Sequence, residues 1–149
     1  MTKDILKFFQ AYVTEMIDIG GENLPKSIAS GLGEKLAKIY KKIEIDEIKD
    51  GIKHIYDILE IQYEIKDIER DKFEVEVKFD ENFCPIGGEF NPDKAKLIQK
   101  SICDPYMLGF LAEMEPEYRY EGCIKQCILE NGNQKVCRYI IERVEKEDD

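Results

Sequence analysis

A chain of 149 residues with 43% hydrophobic content reads as one domain spanning 1–149, able to bury roughly 68–70% of the surface that its unfolded form exposes. Its formal net charge of −10 and pI near 4.7 argue against a nucleic-acid or anionic-membrane surface, since both demand a positive field. Five cysteines, an odd number, and an opening stretch broken by Lys3, Asp4, Lys7 and Glu15 point to a cytoplasmic protein with neither signal peptide nor membrane span, where clustered thiols are more often ligands than bridges.

From Lys3 to Ile19 the apolar residues Ile5, Phe8, Phe9, Tyr12, Val13, Met16 and Ile17 recur at three and four, which predicts an amphipathic helix ended by Gly20-Gly21. A second helix is expected from Asn23, with Pro25 in its first turn and Ile28, Leu32, Leu36, Ile39, Tyr40 and Ile43 buried. Gly31 and Gly33 cost it roughly 1 kcal/mol each against alanine, so they mark either a kink or the close approach of another helix or subunit. A third helix near Asp46 to Leu59 places Ile48, Ile52, Ile55 and Leu59 on one stripe. His54, the single histidine, lies off that stripe and reads as a surface residue, which leaves no histidine for a catalytic triad.

The period then changes to two. Ile61, Tyr63 and Ile65, then Phe73, Val75, Val77 and Phe79, predict antiparallel strands with one apolar and one charged face. Asp80 to Pro92 reads as a loop holding Cys84-Pro85 and Gly87-Gly88, with Cys84 as a loop or core thiol. A helix from Pro92 to Ile102 delivers the chain to Cys103. Asp104-Pro105 then suggests an extended residue followed by an N-capped helix to Met114, with Tyr106, Met107, Phe110, Leu111 and Met114 on its core stripe. The fold class that follows is α+β: N-terminal helices on an antiparallel sheet of about four strands, with a helix inserted before a final hairpin.

That hairpin is signalled by Asn131-Gly132-Asn133 between aromatic and branched runs. With a three-residue loop Cys127 falls opposite Cys137, and strict alternation puts Cys123 on the same face. Cys103 can join them from the helix N-terminus, where the dipole favours a thiolate. Cys103, Cys123, Cys127 and Cys137 therefore form a candidate tetrahedral zinc site. The alternatives are buried thiols or a disulfide, which a Lys-, Glu- and Ile-rich composition of thermophile type tolerates, and a redox role, including an iron–sulfur cluster.

The run from Cys103 to Glu145, through Cys103, Tyr106, Gly109-Phe110, Cys127, Gly132 and Cys137-Arg138, resembles the vinyl-4-reductase domain. This family, also described as a predicted hydrocarbon-binding domain, occurs alone in archaea and as the sensor module of aromatic-responsive transcription regulators. The resemblance implies a zinc ion held by three cysteines and an acid, a small apolar ligand beside it, and a homodimer. The spacings on either side of Gly132 are one residue longer than the family's, and Ile124 stands where the acid would be, so Cys123 is its replacement and Glu121 the reserve. The ligand-lining candidates are Tyr106, Phe110, Tyr118 and Tyr120. The expected function is that of a zinc-stabilised binding or sensing module, the alternative that of an iron–sulfur or thiol redox protein.

Overall fold

Three helices precede the first strand, as the apolar spacing requires: α1 (Lys3–Gly20), α2 (Asn23–Lys42) and α3 (Ile48–Ile58). Strands β1 (Gln62–Glu69) and β2 (Lys72–Lys78) follow, then the short β3 (Phe83–Cys84) and β4 (Gly88–Glu89), which pair with each other. Next come α4 (Pro92–Ile98), a π-helical turn (Gln99–Cys103), α5 (Asp104–Met114), β5 (Arg119–Gln126) and β6 (Val136–Val144). The computed structural model describes residues 3–21, 23–79, 83–84, 88–89, 92–130 and 135–145. The four long strands make one antiparallel sheet in the order β1-β2-β6-β5, so the expected α+β architecture is the one observed.

Alternation along β2 and β6 turns Phe73, Val75 and Val77, with their register partners Ile141, Tyr139 and Cys137, toward the helices. There they meet Ile48, Ile52 and Ile55 of α3 and Met107, Phe110, Leu111 and Met114 of α5, which together form the main core. On the other face Glu76 is buried under Lys66, Lys78 and Arg138, whose cationic groups lie 3.3–3.7 Å from its carboxylate.

Helix α2 buries a different stripe from the one its large residues suggested. Pro25, Ala29, Gly33, Ala37 and Tyr40 face inward, whereas Ile28, Leu32, Ile39 and Ile43 stand exposed. The cause is the contact with α5. A side chain at Gly33 would strike the Tyr106 carbonyl, and one at Gly109 would strike the Ser30 carbonyl, so the two backbones touch and only small residues fit between them. A Cβ at Gly31, by contrast, would meet nothing within 4 Å. In α1 Val13 is buried while Phe8 and Tyr12 are exposed, and the side chains of Ile5 and Phe9 lie outside the described residues.

The break expected before Asp104-Pro105 does not occur. Cys103 is helical, with φ −59° and ψ −53°, and α4 runs through the π turn into α5. The Asp104 N–H donates to the Gln99 carbonyl, one residue further back than an α-helix would use. Proline removes a donor and crowds the turn before it, and the wider π turn relieves both effects without ending the helix. The same turn holds Ser101, which is fully buried and whose Oγ has no hydrogen-bond partner among the described residues.

His54 also departs from expectation, being half-buried with its ring 4.8 Å from that of Tyr40, edge to face. Among the described residues no helix is long and apolar enough to cross a membrane.

Candidate functional site

A second, smaller core lies beside the main one and holds most of the thiols. Its buried members are Val13, Cys84, Ala95, Ile98, Cys127, Ile128 and Leu129, with Cys103 and Cys137 packed against them. Four cysteines thus arrive from four segments: Cys84 from β3, Cys103 from the π turn, Cys127 from the chain after β5, and Cys137 from β6.

The hairpin explains who joins and who does not. Gln126 pairs with Arg138, so continuing that register sets Cys127 opposite Cys137, while the tip at 131–134 lies outside the described residues. Between Ile124 and Gln126, however, the register slips by one residue. A bulge of this kind reverses the alternation, so residues before it point to the opposite face from those after it. Cys123, opposite Ile140, and Glu121, opposite Glu142, therefore lie on the outer face, where Cys123 is exposed. Cys84, read from the sequence as a loop or core thiol, is a core thiol, buried in the cluster that Cys103, Cys127 and Cys137 share.

The thiols feel one another. Cys127 is drawn below the ordinary thiol range, chiefly because the Cys137 thiol donates to its sulfur, with Gln99 and the Leu129 N–H as further donors. Cys137 is raised by that same donated bond and by burial, and the Ile128 N–H approaches its sulfur at 3.3 Å. Burial pushes Cys103 up, with Cys84 and Cys127 adding to the effect. Among the described residues no three His, Cys, Asp or Glu side chains are already grouped as a metal site. The cluster is one of neighbouring thiols with a hydrogen-bonded pair at its centre.

A ring of phenols borders it. Tyr56 is raised by burial and, beyond that, by Cys103, Cys137 and Tyr106. Tyr139 donates to Asp104 Oδ1 at 2.5 Å, tying β6 to the start of α5 next to Cys103. Gly122 makes room for this bond, since a Cβ there would overlap the Tyr139 ring. Burial first, and the bond to Asp104 second, raise Tyr139 above its ordinary 10.0. A raised value means that the folded state holds its proton where the unfolded state has lost it. Stability from this bond is therefore complete below pH 10 and declines as the pH climbs above it. Tyr139→Phe is expected to be less stable than wild type near neutral pH but to show a shallower alkaline decline, measured by urea unfolding at stepped pH.

The four aromatic candidates divide between the two ends of α5. Tyr106 is half-buried near the thiol end, where Tyr40 lies close enough to act on its phenol. Phe110 is fully buried, 5.8 Å from Tyr40 by ring centroids and set against Gly51. Tyr120 donates to Glu115 Oε2 at 2.6 Å, and Tyr118 lies beneath Arg143 at 4.2 Å, both beyond the far end of α5. Near that end a cleft of about 340 Å³ is lined by Lys49, Asp67, Asp71, Phe73, Glu115 and Arg143. Lys49 pairs with Asp67, and Arg143 with Asp71 and Glu115, so these five charges are spent on each other.

No protein-family model and no curated protein matches the chain. Among solved structures, subunit 3 of a trafficking protein particle complex from Naegleria fowleri, covalently bound to palmitic acid, superposes with a TM-score of 0.65, covering 97% of this chain and 96% of that one. The likeness is one of fold. At 15% identity it carries the helix-and-sheet arrangement and nothing about individual residues.

Proposed function

We propose that this protein is a binding module for a small apolar molecule, stabilised by a zinc ion held by Cys84, Cys103, Cys127 and Cys137. The observation that carries the reading is the meeting of four thiols from four separate segments inside one apolar core. A lone buried cysteine is ordinary, but four brought together from distant parts of a chain supply the soft donor set that zinc selects. Metal binding would release protons from the thiols that burial keeps neutral. Four protein ligands leave no open position on the ion, so its part is to clamp the hairpin and the 83–84 segment to the π turn.

The apolar ligand is the less constrained half of the proposal. It is supported by the phenol of Tyr56, which burial, Cys103, Cys137 and Tyr106 act upon, and by the palmitate carried by the trafficking subunit of like fold. Cobalt(II) added anaerobically to the metal-free protein tests the metal site. A tetrahedral thiolate site gives intense sulfur-to-cobalt charge-transfer bands together with visible ligand-field bands, which zinc then abolishes. A spectrum of octahedral aqueous cobalt alone refutes the site.

A further inference from the structure

Because the contact with α5 takes the small residues of α2, the large ones are left over. Leu24, Ile28, Leu32, Ile39 and Ile43 follow one stripe along the helix and just past its end, each 42–56% exposed. The charge of this helix runs against that of the chain. In a protein of net charge −10, α2 holds five lysines and a single acid, Glu34. Lys41 turns inward and donates to the Glu113 carbonyl of α5. Lys35, Lys38 and Lys42 are exposed and recur at three and four, so they run together along the helix beside the stripe. Lys38 pairs with Glu34 at 3.1 Å, both about half in solvent, while Lys35 and Lys42 have no ion-pair partner among the described residues.

An apolar stripe edged by lysines suits a helix lying in the interface of an anionic membrane. Leu and Ile side chains enter the acyl region, and the lysine stems follow them while the ammonium groups stay level with the phosphates. The net charge of the whole chain, which argued against such a surface, hides this segregation. Acids elsewhere are screened beyond about 8 Å at physiological salt, whereas each lysine held at an anionic surface is worth about fivefold in binding.

We propose that the exposed face of α2 docks on an anionic phospholipid surface, with Leu32 and Ile39 in the stripe that enters the lipid and Lys35 and Lys42 on its headgroups. The helix lies on the membrane rather than across it, since among the described residues no helix is long and apolar enough to cross one. The docking face is separate from the thiol site, so either proposal can fail without the other.

Vesicle binding by the full chain tests it. The sequence has no tryptophan, so Leu32→Trp sets a single reporter in the stripe, and Cys123→Trp sets one on the outer face of the sheet as a control. With vesicles of phosphatidylcholine and phosphatidylserine the emission of Leu32→Trp is expected to move to the blue, while that of Cys123→Trp stays in place. Wild type floats with these vesicles and far less with phosphatidylcholine alone. Lys35→Gln with Lys42→Gln weakens the partition by about 25-fold with unchanged circular dichroism, since both side chains are exposed. No blue shift for Leu32→Trp, equal binding to phosphatidylcholine alone, or a partition that the lysine variant leaves unchanged overturns the proposal. So does sedimentation equilibrium that gives twice 17.4 kDa for lipid-free wild type and 17.4 kDa for Leu32→Glu with Ile39→Glu, because a second copy then covers the stripe.

Discussion

Cys84→Ser is expected to weaken zinc binding by more than about 100-fold, whereas Cys123→Ser leaves it unchanged, measured by competition with a chromophoric chelator. Removing groups that merely orient a metal ligand costs 10–100-fold, so loss of a ligand itself exceeds that range. Affinity lost at fixed free zinc is folding free energy lost, and 100-fold corresponds to about 2.8 kcal/mol, so Cys84→Ser also melts earlier. The pair of variants is informative because sequence spacing and folded geometry choose opposite members. Alternation along an unbroken strand selects Cys123, and the bulge between Ile124 and Gln126 replaces it with Cys84. Equal zinc affinity in the two variants would refute the set of four proposed here.

The second large effect concerns Phe110. Phe110→Ala is expected to destabilise the protein by about 3–5 kcal/mol, a fall in melting temperature of roughly 10 °C or more. The side chain is fully buried between Tyr40 and Gly51, where α2, α3 and α5 meet, and its removal leaves a void that rigid neighbours cannot close. Tyr106→Phe, at a half-buried position on the same helix, is expected to change stability by less than about 1 kcal/mol. If Phe110→Ala instead melts within about 1 kcal/mol of wild type, the ring is not the core member described above and belongs among the ligand-lining residues.

Residue by residue, the sequence was most legible where a single period governed. The stripes Ile48, Ile52, Ile55 and Phe73, Val75, Val77 led directly to α3, β2 and the core they share. The α+β layout followed from the change of period after Leu59. It failed where two requirements competed at one position. In α2 the apolar stripe of Ile28, Leu32 and Ile39 outweighs Ala29, Gly33 and Ala37 on any hydrophobicity scale, but a helix packed backbone to backbone against α5 buries what is small. The value of Gly33 lay in a partner helix some 73 residues further along, at Tyr106, which no local pattern contains.

The thiols divide in the same manner. Cys127 opposite Cys137 followed from the turn signal once a three-residue loop was chosen, a choice that the cysteines themselves guided, and continuing the Gln126–Arg138 register gives the same pairing. Cys123 was placed on the wrong face because strict alternation does not foresee the bulge between Ile124 and Gln126, and Cys84, read as a loop or core thiol, had no periodicity to join it to the other three. Cys103 reached the cluster by a route other than the expected one: Pro105 opened a π turn rather than ending the helix, and left the thiol on its side wall rather than at its tip. The helix dipole therefore does little for Cys103, whose thiol burial holds protonated.

The central claim is that these four thiols hold one structural zinc ion per chain. Elemental analysis of protein purified anaerobically without chelator, read with its visible spectrum, tests it most directly. About one zinc per chain in a colourless protein is the result predicted. Iron with sulfide in a brown protein, or no metal at all, would contradict it: the first makes the cluster a redox centre, and the second returns the four cysteines to the apolar core in which they are packed.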